Sequence, residues 1–103
     1  MVEHHARLDG IFGSLSDPTR RDILRRVARE ELSVGQIAMP YDLTLAAVSK
    51  HLKILEKSRL ITKRRQGKQQ FIRVAPAALR DAAAFLQAYQ KLCEGGLTRS
   101  KNT

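Results

Sequence analysis

Two basic stretches follow one another closely in this chain, VSKHLKIL at residues 48–55 and KRRQGKQQF at residues 63–71. Residues 50–73 contain nine lysines and arginines and a single acid, Glu56, so this block holds nearly all of the formal net charge of +9. Concentrated positive charge indicates a polyanionic partner, such as a nucleic acid. The alternative is an ordinary solvated surface, which the helix, strand and turn signals within the block disfavour.

The first stretch has the spacing of an amphipathic helix over residues 45–57. At about 100° per residue, its aliphatic residues fall on one side and its lysines on the other. His51 falls close to the edge of the aliphatic side. We predict a buried stripe of Leu45, Val48, Leu52 and Leu55. The outward side and its flanks comprise Ala46, Ala47, Ser49, Lys50, Lys53 and Lys57.

That outward side has the chemistry to read base edges in a DNA major groove. Small side chains allow close approach, and an alanine methyl can contact the methyl group of thymine. Ser49 can donate or accept a hydrogen bond, while Lys50 and Lys53 can reach guanine or phosphate. We therefore predict that these three residues are the main readers of sequence.

The second stretch predicts a basic hairpin. Residues 60–65 and 70–74 have the character of short strands, and Gly67 supplies the backbone freedom for the turn RQGKQ between them. Phosphate contacts position a protein on DNA, whereas base contacts specify sequence. We predict that the hairpin mainly holds the DNA backbone. Its candidate residues are Lys63, Arg64, Arg65, Gly67, Lys68 and Gln69.

The remaining elements must position these two segments. Asp17 followed by Pro18 predicts a helix start, with an N-cap before a proline in the first turn. Ser33 and Thr44 can cap two further helices, and Pro40 disfavours helix in the residue before it. The predicted helices comprise residues 4–15, 18–30, 34–39, 45–57 and 76–93.

These elements predict a mainly α fold with a small β-hairpin, in the order ααααββα, which is a winged helix-turn-helix. The 103 residues suffice for one domain, predicted over residues 1–94, with a disordered tail over residues 95–103. No apolar run approaches the roughly 20 residues of a membrane span, and the N-terminus lacks the pattern of a secretory signal. The single cysteine, Cys93, cannot form an internal disulfide, so a cytoplasmic location is expected.

The last predicted helix is apolar on two sides. One side carries Leu79, Ala82, Ala83, Leu86 and Cys93, and the other carries Ala78, Phe85, Tyr89 and Leu92. A helix of this kind needs more than one neighbour. We predict that it packs on its own domain and on a second subunit. The alternative is complete burial within a monomer, for which so short a chain has little mass.

The roles of three basic residues can each be interpreted in more than one way. His51, at the edge of the buried stripe, could contact a base or a phosphate, or could be a packed, hydrogen-bonded side chain. Arg20 and Arg21, near the start of the second helix, could touch DNA phosphates. A solvent-facing position or an internal salt bridge is the alternative for both arginines.

The chain resembles the ArsR-type winged-helix repressors of bacteria. The motifs that carry the resemblance are LSDPTRRDILRRV at 15–27, ELSVGQIA at 31–38 and LAAVSKHLKILEKSRLITKRRQGKQQFIRV at 45–74, within a match over about residues 8–92. The resemblance implies a homodimer joined by the first and last helices, bound to a near-palindromic operator. It implies DNA contacts at Thr44, Ser49 and His51 and around Arg65 and Gly67. The implied dimer interface comprises Leu8, Ile11, Phe12, Leu79, Ala82, Ala83, Phe85, Leu86, Tyr89 and Cys93.

The sequence departs from the metal-sensing members of that family. The Glu-Leu-Cys-Val-Cys pattern that those members often carry is replaced by ELSVG at residues 31–35, so both thiolate ligands are missing. A second pattern, Asp-x-His with a later histidine, is also broken, because Ala83 follows Asp81 and Glu94 stands in place of the later histidine. We predict no metal site and no cofactor. The alternative is a metal- or redox-responsive repressor that uses His4, His5 and Cys93, with Glu94 as a further possible ligand.

The residues disfavour two other classes of function. The sequence contains no GxSxG motif and no phosphate-binding loop, so we predict that the protein is not an enzyme. A winged helix can also serve as a protein- or RNA-binding module, but a compact basic helix followed by a basic hairpin favours duplex DNA.

Overall fold

The computed structural model describes the backbone of residues 2–97 and the side chains of residues 6–95. Met1 and residues 98–103, most of the predicted tail, lie outside the described residues. The helices are α1 (Val2–Leu15), α2 (Pro18–Arg29), α3 (Val34–Ala38), α4 (Leu45–Lys57) and α5 (Pro76–Leu92), and a π-helical turn follows at Cys93–Leu97. The strands are β1 (Leu32–Ser33), β2 (Ile61–Gln66) and β3 (Gln69–Val74).

Short polar side chains start three of the helices, as the sequence predicted. The Asp17 carboxylate accepts the backbone N–H of Arg20 at 2.9 Å at the start of α2. Ser33 and Gln36 form a reciprocal capping box at α3, and the Thr44 hydroxyl oxygen accepts the N–H of Ala47 at 3.1 Å at α4. Each cap satisfies a backbone donor that has no partner within its helix.

The sheet has one strand more than predicted. β1 pairs with β3, and β3 pairs with β2, so the antiparallel order is β1-β3-β2. β1 is only two residues long. So short a segment has no periodicity of its own, and its pairing depends on Ile72 and Phe71, which are distant in sequence. The fold is a winged helix-turn-helix in which β2, β3 and their turn form the wing, residues 61–74.

α4 rests on the core through one face. Val48, Leu52 and Leu55 are at most 1% exposed and pack with buried side chains of the other helices and the sheet. The prediction that Leu45 belongs to this buried stripe is wrong, because Leu45 is 60% exposed. Its angle around the helix is right, but it is the first residue of α4 and projects beyond the end of the core.

The chain leaves α4 through a left-handed residue. Arg59 has φ 62°, and the backbone N–H of Leu60 donates to the carbonyl of Leu55 at 3.0 Å. This arrangement closes the helix and turns the chain directly into β2, so the wing begins beside the C-terminal end of α4. Among the described residues, no helix is long and apolar enough to cross a membrane.

Candidate nucleic-acid interface

The outward face of α4 presents a small, polar and positively charged surface. Ala46, Ser49, Lys50 and Lys53 are exposed, and Ala47 is half-buried. Thr44 is exposed while its hydroxyl oxygen caps the helix. The buried stripe on the opposite face holds α4 rigidly on the core, so these side chains project together from one fixed surface.

His51 lies where α4 meets the start of α2. Its ring Nδ1 is 3.3 Å from Nη1 of Arg20 and 3.9 Å from a carboxylate oxygen of Asp17. Its side chain is 21% exposed. The pKa of Asp17 is lowered, first by the hydrogen bond from the backbone of Arg20 and also by the nearby charges of Arg20 and His51. His51 therefore has packing and hydrogen-bonding partners within the chain.

Arg20 and Arg21 both reach back to the C-terminal end of α1. Arg20 donates from Nε to the carbonyl of Ser14 at 2.8 Å and from Nη2 to that of Gly13 at 3.3 Å. Arg21 donates from Nη1 to the carbonyl of Leu15 at 2.8 Å. The last carbonyls of a helix lack partners and carry partial negative charge, so these cations satisfy them.

The wing contains paired and unpaired cations. Lys63 lies 3.1 Å from a carboxylate oxygen of Glu56, and Arg64 donates to both carboxylate oxygens of Glu31. Arg65 and Lys68, nearer the turn, are exposed. Neither makes an ion pair with any residue whose side chain the structure describes. Gly67 at the turn has φ +61°, a conformation that glycine adopts without strain.

A groove separates α4 from the tip of the wing. Its lining includes Leu45 and Ser49 from α4 and Arg65, Lys68 and Gln69 from the wing. Leu45 lines this groove, although its angle around the helix predicted a place in the core. Its position directly after the N-cap Thr44 is the signal that could have identified it.

Some residues of the predicted dimer surface are buried in the core of the single chain, and others are exposed to solvent. Leu8, Ile11 and Ala82 are at most 5% exposed in the single chain, so their side chains have almost no area left for a partner. Leu86 and Tyr89 are each 55% exposed, and Ala83 and Cys93 are exposed as well. Phe12, Leu79 and Phe85 are half-buried, with the Phe85 ring 5.9 Å from that of Phe12 and 4.8 Å from that of Tyr89.

No group of three or more His, Cys, Asp or Glu side chains is placed to hold a metal ion within the part of the chain that the structure describes. The side chains of His4 and His5 lie outside that part. Cys93 is exposed just beyond α5. Glu94 accepts a hydrogen bond from the side chain of Gln90 at 3.0 Å.

Comparison with known proteins points to one kind of regulator. A helix-turn-helix domain model matches residues 15–64. The HTH-type transcriptional regulator Rv2034 of Mycobacterium tuberculosis is 37% identical over 71 residues, which cover 69% of this chain and 66% of that relative. The transcriptional repressor SdpR of Bacillus subtilis is 29% identical over 79 residues, which cover 77% of this chain and 88% of the repressor.

Solved structures extend the likeness to nearly the whole chain. The crystal structure of an ArsR family transcriptional regulator, RHA00566, superposes with a TM-score of 0.82 at 35% identity and covers 86% of this chain and 92% of that one. The homodimeric winged helix-turn-helix DNA-binding domain of a possible ArsR-family regulator from Mycobacterium bovis gives a TM-score of 0.66 at 25% identity, covering 87% of this chain and 82% of that one.

Proposed function

Because this chain belongs to the ArsR family of winged helix-turn-helix transcriptional regulators, we propose that it is a repressor that binds a near-palindromic operator in double-stranded DNA as a homodimer. The relatives found are named as transcriptional regulators and repressors, and none of those reported above is an enzyme. Such a protein acts where the bacterial chromosome is, in the cytoplasm. Occlusion of the operator is the simplest mechanism, and the gene for the protein itself is a natural target.

The observation that carries the proposal is the exposed cationic face of α4 beside the exposed cations of the wing tip. Ser49, Lys50 and Lys53 project from a helix whose other face is locked into the core. In a helix-turn-helix the second helix enters the major groove and its N-terminal part contacts base edges. Arg65 and Lys68 then extend the contact along the adjacent backbone or minor groove.

The proposed dimer uses the apolar surface of α5. Leu86, Tyr89 and Leu92 are 55–68% exposed along that helix, and a monomer would leave them in water. A two-fold axis through this surface repeats each recognition helix once, so the DNA site is expected to have matching two-fold symmetry. The half-buried Phe12 and Phe85 connect this surface to α1.

We also propose that the repressor has no metal-sensing site. Ser33, which stands where metal-sensing members carry a cysteine, is 8% exposed, and its hydroxyl oxygen caps α3. The second cysteine position is occupied by Gly35. The alternative of a metal- or redox-responsive repressor using His4, His5 and Cys93 predicts that zinc or an oxidant releases the DNA.

A fluorescence anisotropy titration tests the proposal. The duplex is the DNA upstream of the protein's own gene, with a scrambled duplex as control, at several salt concentrations and with either zinc or a chelator. We expect preference for the upstream duplex and no effect of zinc. The logarithm of the association constant, plotted against the logarithm of the salt concentration, should have a slope of about −7 to −11 for the dimer. Equal binding to both duplexes would contradict an operator there, and release by zinc would favour the alternative.

A further inference from the structure

Two ion pairs hold the base of the wing from opposite sides. Successive residues of a strand point to opposite faces, so Lys63 and Arg64 on β2 diverge. Lys63 reaches Glu56 in the last turn of α4, with 3.1 Å between Nζ and Oε1. Arg64 reaches Glu31, just before β1, with Nε and Nη2 donating to its two oxygens at 3.0 and 2.9 Å. We call these two pairs the wing clamp.

The Arg64 half of the wing clamp spans the whole sheet. Its guanidinium carbon lies 5.0 Å from the centre of the Phe71 ring, and Phe71 is its cross-strand partner on the central strand β3. Nη1 donates to the side chain of Gln66 at 2.8 Å. All three guanidinium nitrogens therefore have partners within the chain, so a DNA phosphate would have to compete for them.

From these contacts we propose that Lys63 and Arg64 are positioning residues of the wing, and that Glu31 and Glu56 support DNA binding although they carry the same sign of charge as DNA. This inference rests on the proposed function. It assigns the grip on the backbone to the cations closer to the turn, Arg65 and Lys68.

The wing has a physical need for such a clamp. Beyond its pairing with β1 the wing is a two-stranded hairpin, a structure that is marginally stable when isolated in water, and the residues from Arg64 to Gln70 are all exposed. A wing that moved freely would have to be ordered each time DNA bound, at a cost to affinity. Bidentate geometry and stacking distinguish the Arg64 pair from an ordinary surface ion pair, which contributes little.

The electrostatic environment keeps the Arg64 pair ionised. Hydrogen bonding from Arg64 is the main cause that lowers the pKa of Glu31, and the same contact raises the pKa of Arg64. Protonation of Glu31 therefore requires a lower pH than is usual for a glutamate. The clamp is expected to remain intact at any pH near neutrality, where DNA binding is measured.

Replacing Glu31 distinguishes the effect of the clamp on DNA binding from that of simple electrostatic attraction between protein and DNA. Glu31→Gln makes the protein more positive, so attraction to DNA alone would tighten binding. The clamp predicts the opposite, a loss of about threefold to tenfold in affinity for the upstream duplex. The salt slope should also become shallower by about 1–2, because the displaced wing loses phosphate contacts.

Glu30→Gln is the matched control. It makes the same charge change one residue away, at an exposed position that forms no ion pair with any described side chain. We expect its affinity to be equal to or slightly above that of the unmodified protein. Thermal melting of each variant identifies any loss of binding that comes from unfolding.

Three further variants complete the test. Arg64→Lys retains the charge but loses the two-pronged contact, so it should weaken binding as Glu31→Gln does. The exchange Glu31→Arg with Arg64→Glu restores the pair, so it should bind more tightly than Arg64→Glu alone. If Glu31→Gln and Arg64→Lys bind as tightly as the unmodified protein with unchanged salt slopes, the clamp is wrong. If the unmodified protein shows no preference between duplexes, the proposed function fails instead.

Discussion

At the scale of single residues, the exposed cations are expected to divide between reading and holding DNA. Lys50 projects from α4, the helix that we propose enters the major groove, so Lys50→Ala should cost about 1–3 kcal/mol at the preferred site and relax its specificity. Arg65 lies on the wing, so Arg65→Ala should weaken all duplexes about equally and make the salt slope shallower. Titrations with preferred and random duplexes measure both effects, and equal losses on the two duplexes for Lys50→Ala would refute this division.

Leu45 is expected to contact a thymine methyl group. It is 60% exposed at the start of α4, in a groove otherwise lined largely by polar and cationic side chains, and an aliphatic group suits the methyl of thymine. Leu45→Ala should therefore weaken operator binding, and so should replacing one thymine by deoxyuridine, which lacks that methyl. The two changes together should cost less than the sum of the separate losses. Additive losses at every thymine of the operator would show that Leu45 makes no such contact.

At the scale of the elements, the cap of α2 links stability to pH. The pKa of the Asp17 carboxylate lies below its ordinary value, mainly because it accepts the backbone N–H of Arg20. A lowered pKa means that the stabilisation is present above the pKa of the unfolded chain and is lost as the pH falls through that of the folded protein. Asp17→Ala should lower the free energy of unfolding at neutral pH by about 0.5–2 kcal/mol.

Urea unfolding between neutral and acidic pH checks this expectation. The difference in free energy of unfolding between the unmodified protein and Asp17→Ala should decrease as the pH falls below the range in which Asp17 titrates. Asp9→Ala, at an exposed position within α1, is a suitable control, because it removes a carboxylate without removing a helix cap. A difference in free energy of unfolding that stays constant down to strongly acidic pH would argue that it does not come from the helix cap.

At the scale of the whole molecule, the exposed side of α5 should determine whether DNA is bound at all. Leu86→Asp places a charge on the proposed subunit interface, where burial without a partner is unfavourable. We expect a folded monomer by analytical ultracentrifugation and a loss of operator affinity on the order of 100-fold, because two half-sites are no longer held by one particle. Gln87→Asp, the adjacent exposed position, is the control; a dimeric Leu86→Asp would disprove this interface.

Features that depend only on neighbouring residues could be predicted from the amino-acid sequence. Caps act over three residues and amphipathic spacing acts within one helix, so the start of α2 at Asp17 and Pro18 and both ends of α4 were predictable. The basic character of α4 and of the wing was likewise readable, as was the turn at Gly67. The recognisable motifs between residues 15 and 74 then led to the winged helix-turn-helix family that the comparisons show.

Which of the predicted site residues have partners depends on contacts between distant parts of the chain. Arg64 meets Glu31 across 33 positions of sequence, β1 exists because β3 passes beside it, and Arg20 turns to the end of α1 rather than to solvent. Leu45 shares its angle with buried residues yet lies beyond the end of the core. These outcomes depend on where separate elements come to rest against one another, and no local pattern in the chain encodes those distances.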